Sequence, residues 1–188
     1  MKLKSLAGML AGLAMTFGAT ATFSEPSQAN SNSNSNSNTY YCAQLNGIWN
    51  TFVNTPRGRI TLINWVRDYS EDWTPQRRCL EVSQRFQKFL EDGTLKYIRT
   101  GTVNRQPVIC VANDRGGACP DRNVLVTFKP GTDPEEVLIQ LVDFRRSVSG
   151  QTIVLSENDS GFYADGEFYV DLAKFLDTVP VSNQTTNE

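Results

Sequence analysis

The stretch WTPQRRCLEVSQRF, residues 73–86, sets Cys79 directly behind Arg77 and Arg78, with Arg85 further along the same segment. Guanidinium groups beside a thiol lower its pKa and favour the nucleophilic thiolate. Cys79 is therefore either a reactive group or half of a disulfide. Cysteine catalysis needs a base, ordinarily histidine, and the 188-residue chain has none. The same absence removes every Ser-His-Asp arrangement. Structural zinc fails on spacing, because Cys42, Cys79, Cys110 and Cys119 include no C-x-x-C pair. No metal and no cofactor is expected.

Carboxylates are the remaining route to catalysis, since an acid–base pair can hydrolyse a glycoside. Two clusters offer themselves: Asp68, Glu71 and Asp72, and then Glu157, Asp159, Asp165 and Glu167. Both fall in polar, turn-like stretches where carboxylates are ordinarily solvated. The second stretch, SENDSGFYADGE (156–167), is dense in oxygen ligands but lacks the EF-hand spacing. A solvated acidic loop is the expectation there, and a secreted carboxylate-dependent hydrolase stays as the alternative function.

Binding chemistry is better represented. Arg77, Arg78, Arg85 and Lys88 can share one flank of a helix, with Arg57 and Arg59 elsewhere in the same positive region. Anionic headgroups attract such a flank by about 1 kcal/mol per cation near the surface. Trp49, Trp65 and Trp73 could instead serve as stacking platforms of a carbohydrate-binding or inhibitor module. Trp65 ends an apolar run and is expected in the core, which leaves Trp73 as the better exposed candidate.

The elements around these residues begin with an export signal. Residues 1–29 read as a signal peptide: Lys2 and Lys4, the apolar run Leu6–Phe17, then small-residue exits at 19–21 and 27–29. That run is shorter than the roughly 20 residues a membrane span needs. NSNSNSNSN makes 30–39 a Ser/Asn-rich linker without apolar surface to order it. The domain is expected over 40–179, with a flexible tail at 180–188. Charge is uneven, since residues 57–129 hold 13 Lys/Arg against 8 Asp/Glu and residues 130–188 hold 3 against 11. The formal net charge of −2 argues against nucleic acid as a partner.

Export settles how to read the sulfur. Four cysteines in an oxidising compartment form a disulfide set with three possible pairings. Cys110 and Cys119 flank the turn-rich VANDRGGA and can close a hairpin, which leaves Cys42 to pin the N-terminal segment onto the helix carrying Cys79. That pairing is favoured, and the other two stay open.

Local patterns supply the rest. Residues 47–67 read as two strands joined at Thr55-Pro56-Arg57-Gly58. Thr74-Pro75 starts a helix with Cys79, Val82, Phe86, Phe89 and Leu90 on its apolar face, ending at Asp92-Gly93. LKYIRTG (95–101), PVICVA (107–112) and VLVTFKP (124–130) are strand-like. A second helix follows from Asp133-Pro134-Glu135-Glu136, where Asp and Glu three apart resemble a capping box. Val137, Leu138, Leu141 and Val142 make its apolar stripe. TIVL (152–155), GFYAD (161–165) and a short helix over Val170–Leu176 complete the domain. The expected class is α+β: one disulfide-stapled domain, a mainly antiparallel sheet and two or three helices.

In one order along the chain stand Cys42, INW (63–65), TPQRRC (74–79), VSQRFQ (82–87), GTLKYIRTG (93–101), PVIC (107–110), Cys119, LVTFKP (125–130) and DPEEVLIQL (133–141). This series resembles the circadian oscillating polypeptide domain family of cyanobacteria, over Cys42–Leu141 and with all four cysteines included. The resemblance implies an exported or peripherally membrane-associated protein of the periplasm, thylakoid lumen or cell surface, named for rhythmic abundance. It brings no active-site residues and favours a non-enzymatic role. Taken with the basic flank of the first helix, the expected partner is an anionic membrane surface or an envelope protein.

Overall fold

The computed structural model describes residues 37–147 and 160–181, leaving out the side chains of 143–147. The expected strand TIVL and the carboxylates Glu157 and Asp159 lie outside the described residues.

Two hairpin turns build the first sheet. Asn46-Gly47 has both residues in the left-handed region (φ 51° and 78°), the conformation that joins two strands with matching twist. It connects β1 (Thr39–Leu45) to β2 (Ile48–Thr55). The Pro56-Arg57 turn then leads into β3 (Gly58–Trp65), and the three strands lie antiparallel in chain order. The apolar run of β3 changes parity between Leu62 and Ile63, and a bulge accounts for it. Phe52 opposes Thr61 while Thr51 opposes Ile63, so Leu62 is the extra residue. The local twist keeps Ile60, Leu62 and Trp65 buried together.

Helix α1 (Pro75–Glu91) begins where the sequence predicts. Thr74 accepts from the Arg77 amide at 3.3 Å and Pro75 occupies the first turn. Its buried face, Cys79, Val82, Ser83, Phe86 and Phe89, packs on the first sheet, with Phe86 stacked on Tyr40 at 5.1 Å. Leu90 is half-buried. Gly93 closes the helix at φ 68°, its N–H donating to the Leu90 carbonyl.

The second sheet holds β4 (Tyr97–Val103), β5 (Gln106–Ala112), β6 (Val124–Thr127), β7 (Gly161–Ala164) and β8 (Glu167–Asp171). Every pair is antiparallel, in the order β6-β5-β4-β8-β7. Helix α2 (Pro134–Ser147) packs on β4 and β5. Asp133 caps it by accepting from the Glu135 and Glu136 amides. The Glu136 carboxylate accepts from Gln140 Nε2 at 3.0 Å. The C-terminal helix α3 spans Leu172–Thr178, capped by Asp171. The helix expected from Val170 therefore starts two residues late. Val170 is fully buried in β8, because the Asp165-Gly166 turn (φ 51° and 79°) makes residues 167–171 the return arm of a hairpin.

Both disulfides follow the favoured pairing. Cys42–Cys79 joins β1 to α1 with Cα atoms 5.5 Å apart, and Cys110–Cys119 ties β5 to the loop before β6 at 5.8 Å. No cysteine is free. One apolar cluster runs through both sheets and all three helices, from Tyr40, Val53 and Phe86 to Leu125, Leu138, Val170 and Phe175.

Candidate functional site

Capping at Thr74 places Arg78 in the first turn of α1, directly over the end of β3. Its guanidinium carbon lies 4.5 Å from the Trp65 ring centre and 5.7 Å from that of Tyr69. Nη1 donates to the Arg67 carbonyl at 3.3 Å. Arg78 is half-buried, and the loss of hydration pushes its pKa below the usual guanidinium value. Charged groups taken out of water are ordinarily paired. Among the described residues, however, the ion pairs are Lys88–Asp92 and Arg99–Glu167, and Arg78 takes part in neither.

Arg78 forms part of the wall of two concavities. The larger is a groove of about 650 Å³ between β3 and α2. Leu62, Ile109 and Val126 form its floor, and Phe128, Val137 and Leu141 stand along its sides. Arg67 and Arg78 supply its charge, and no carboxylate lines it. The groove exists because α2 carries a stripe wider than its footprint: Leu138 and Val142 are buried, while Val137 and Leu141 stay half-exposed beside them. The smaller cleft, about 290 Å³, lies between Tyr69, Trp73, Glu81, Arg85 and Leu125. Tyr69 is flanked by a second cation, Lys129, whose Nζ is 5.3 Å from the ring centre.

The four cations predicted from the sequence divide. Arg78 and Arg85 turn inward, Arg85 Nη1 donating to the Leu125 carbonyl at 3.0 Å. Arg77 and Lys88 are exposed. Arg77 lies 4.8 Å above the Trp73 ring and Lys88 pairs with Asp92 at 2.9 Å. Trp73 is thus half-buried beneath Arg77, Trp49 is half-buried, and Trp65 is in the core, donating from Nε1 to Thr51 Oγ1 at 3.0 Å. Arg57 leaves the positive region altogether and caps α3, while Arg59 lies over Phe52.

The carboxylates do not converge. Asp68, Glu71 and Asp72 are exposed in the loop between β3 and α1. Asp165 sits in a hairpin turn, and Glu167 accepts from Thr100 Oγ1 at 2.9 Å beside Arg99. Among the described residues, no three carboxylate or thiol side chains come together as a cation site. Sequence reasoning missed the lock around Arg99. Its Nη1 donates to the Tyr169 hydroxyl at 2.7 Å and to the Gly117 carbonyl at 2.8 Å, and the Tyr169 hydroxyl donates to that same carbonyl. This lock holds the Cys110–Cys119 loop on the sheet.

A family model described as circadian oscillating protein COP23 matches residues 39–177. The chain belongs to this family. The COP23 match starts with β1 and ends one residue short of the end of α3, passing well beyond Leu141, where the recognisable motifs stop. Both disulfides, Arg78 and its two concavities, and the Arg99 lock all lie inside the COP23 region. Neither the curated proteins nor the solved structures hold a match to the chain.

Proposed function

We propose that this COP23 member is an exported, non-catalytic binding domain that works at an anionic envelope surface through the outer flank of α1. The observation that carries the reading is the placement of its cations. Arg77, Arg78, Arg85 and Lys88 fall within an arc of about 100° on the helix, and the two at its solvent-facing edge, Arg77 and Lys88, are exposed. Two closed disulfides fit a compartment outside the reducing cytoplasm. No described helix is long and apolar enough to cross a membrane, so attachment would be peripheral. The rhythm in the family's name is taken as a property of synthesis, to be read by immunoblot over two days of constant light.

Flotation with phosphatidylglycerol vesicles tests the membrane reading. Co-flotation is expected at low salt, falling several-fold at high salt and in Arg77→Glu/Lys88→Glu, because exposed charges are screened within about 10 Å at 0.1 M salt. Absence of co-flotation at low salt ends it.

A further inference from the structure

The groove between β3 and α2 poses a separate question from how the exposed Arg77 and Lys88 meet a surface, although Arg78 belongs to the same flank of α1. Its lining is mostly apolar, with Asn64 and Gln140 as its uncharged polar side chains, and Val66 in that lining is 66% exposed. Arg78 stands in its wall with Arg67 as the other lining cation. Among the described residues, the guanidinium of Arg78 makes one hydrogen bond, from Nη1 to the Arg67 carbonyl. Its guanidinium carbon lies 4.5 Å from the Trp65 ring centre and 5.7 Å from that of Tyr69, and among the described residues no carboxylate pairs with it. A planar, pre-positioned guanidinium edge matches a carboxylate with two parallel bonds.

We propose that this groove binds one long-chain carboxylate, a free fatty acid, with its acyl chain along Leu62, Val126, Phe128 and Leu141 and its head on Arg78. Charge complementarity selects an anion, because both charged lining residues are cations. The apolar walls select an acyl chain over a peptide. Beyond Asn64 and Gln140, the stretch along Val126, Phe128, Val137 and Leu141 offers side chains that suit an acyl chain and cannot satisfy a peptide backbone. The volume of about 650 Å³ falls in the range of small-molecule sites.

Isothermal titration of the full chain with its disulfides closed tests this, using dodecanoate below its micellar range. Saturable one-to-one binding is expected. Dodecyltrimethylammonium, with the same tail and opposite head, should bind at least tenfold more weakly, and acetate should give no heat. Arg78→Gln and Val66→Asp should each weaken dodecanoate at least fivefold. Val66 is exposed enough for its variant to fold even if Arg78→Gln does not. The proposal is overturned if dodecanoate gives no saturable binding, if both amphiphiles bind equally, or if folded Arg78→Gln binds like the parent. Binding of phosphatidylglycerol vesicles without dodecanoate binding also overturns it, and leaves the surface reading through Arg77 and Lys88 standing.

Discussion

Arg57 Nη1 donates to the Leu176 carbonyl at 2.6 Å, joining the turn between β2 and β3 to the last helix across 119 residues. The same guanidinium reaches the Asp177 and Val179 carbonyls. A helix leaves its last carbonyls without intrahelical donors, and a cation there also suits the helix dipole. Arg57→Ala is expected to lower stability by about 1–2 kcal/mol, less than a fully buried charged hydrogen bond since the group is exposed. Arg57→Lys should recover only part, lacking the fork. Urea midpoints with an unchanged m-value check both.

The two disulfides differ in the loop they close. Chain-entropy arithmetic assigns about 4 kcal/mol to Cys42–Cys79, with a separation of 37, and about 3 kcal/mol to Cys110–Cys119, with a separation of 9. The double variant Cys42→Ala/Cys79→Ala should therefore unfold at lower urea than Cys110→Ala/Cys119→Ala. Alkylation of native, non-reduced protein followed by mass spectrometry should label no cysteine.

Gly101 lies against the second disulfide. A Cβ placed there would come 2.9 Å from Cys119 Sγ and 3.1 Å from its Cβ, atoms held by the cross-link. Gly101→Ala is expected to cost about 1–3 kcal/mol by overpacking. Reducing the Cys110–Cys119 bond should relieve part of that cost. Denaturation of both proteins with and without reductant measures the difference.

Alkaline pH should destabilise the domain through Tyr40 and Tyr169. Burial raises both phenol pKa values above the ordinary value, with Arg99 partly opposing the rise at Tyr169. The folded state then keeps protons that the unfolded chain releases above about pH 10. The associated stability is complete below the unfolded pKa and is lost as pH rises toward the folded value. Tyr40→Phe should flatten the fall in urea midpoint between about pH 9.5 and 11.5, which brackets the titration of an unfolded phenol. An unchanged slope would contradict this origin.

Legibility in the sequence follows the range of the interaction. The cap at Thr74, the stop at Gly93, the Asp133 cap and the Thr55–Gly58 turn were readable because each is decided within four residues. Strands β1 and β8 were not read, although Asn46-Gly47 and Asp165-Gly166 carry the two-residue turn signal that would have revealed them. At β8 the apolar run Val170, Leu172, Phe175 and Leu176 was read as one helix, whereas Val170 belongs to a buried strand and only the other three to α3. The basic flank of α1 was legible as a periodicity. The division of its members between solvent and groove was not, because it depends on where Trp65, Tyr69 and Leu125 arrive from other elements.

By itself the sequence determined the α+β character, the termini of α1, the favoured cysteine pairing and the family, since local periodicity and ordered motifs carry all four. Only the tertiary structure decided that β8 lies between β4 and β7, that Arg57 closes α3, and that Arg78 stands without a carboxylate at the wall of an apolar groove. Those outcomes rest on contacts between residues far apart in the chain. Their geometry follows from how two sheets and three helices fill one core, which no short window of residues encodes.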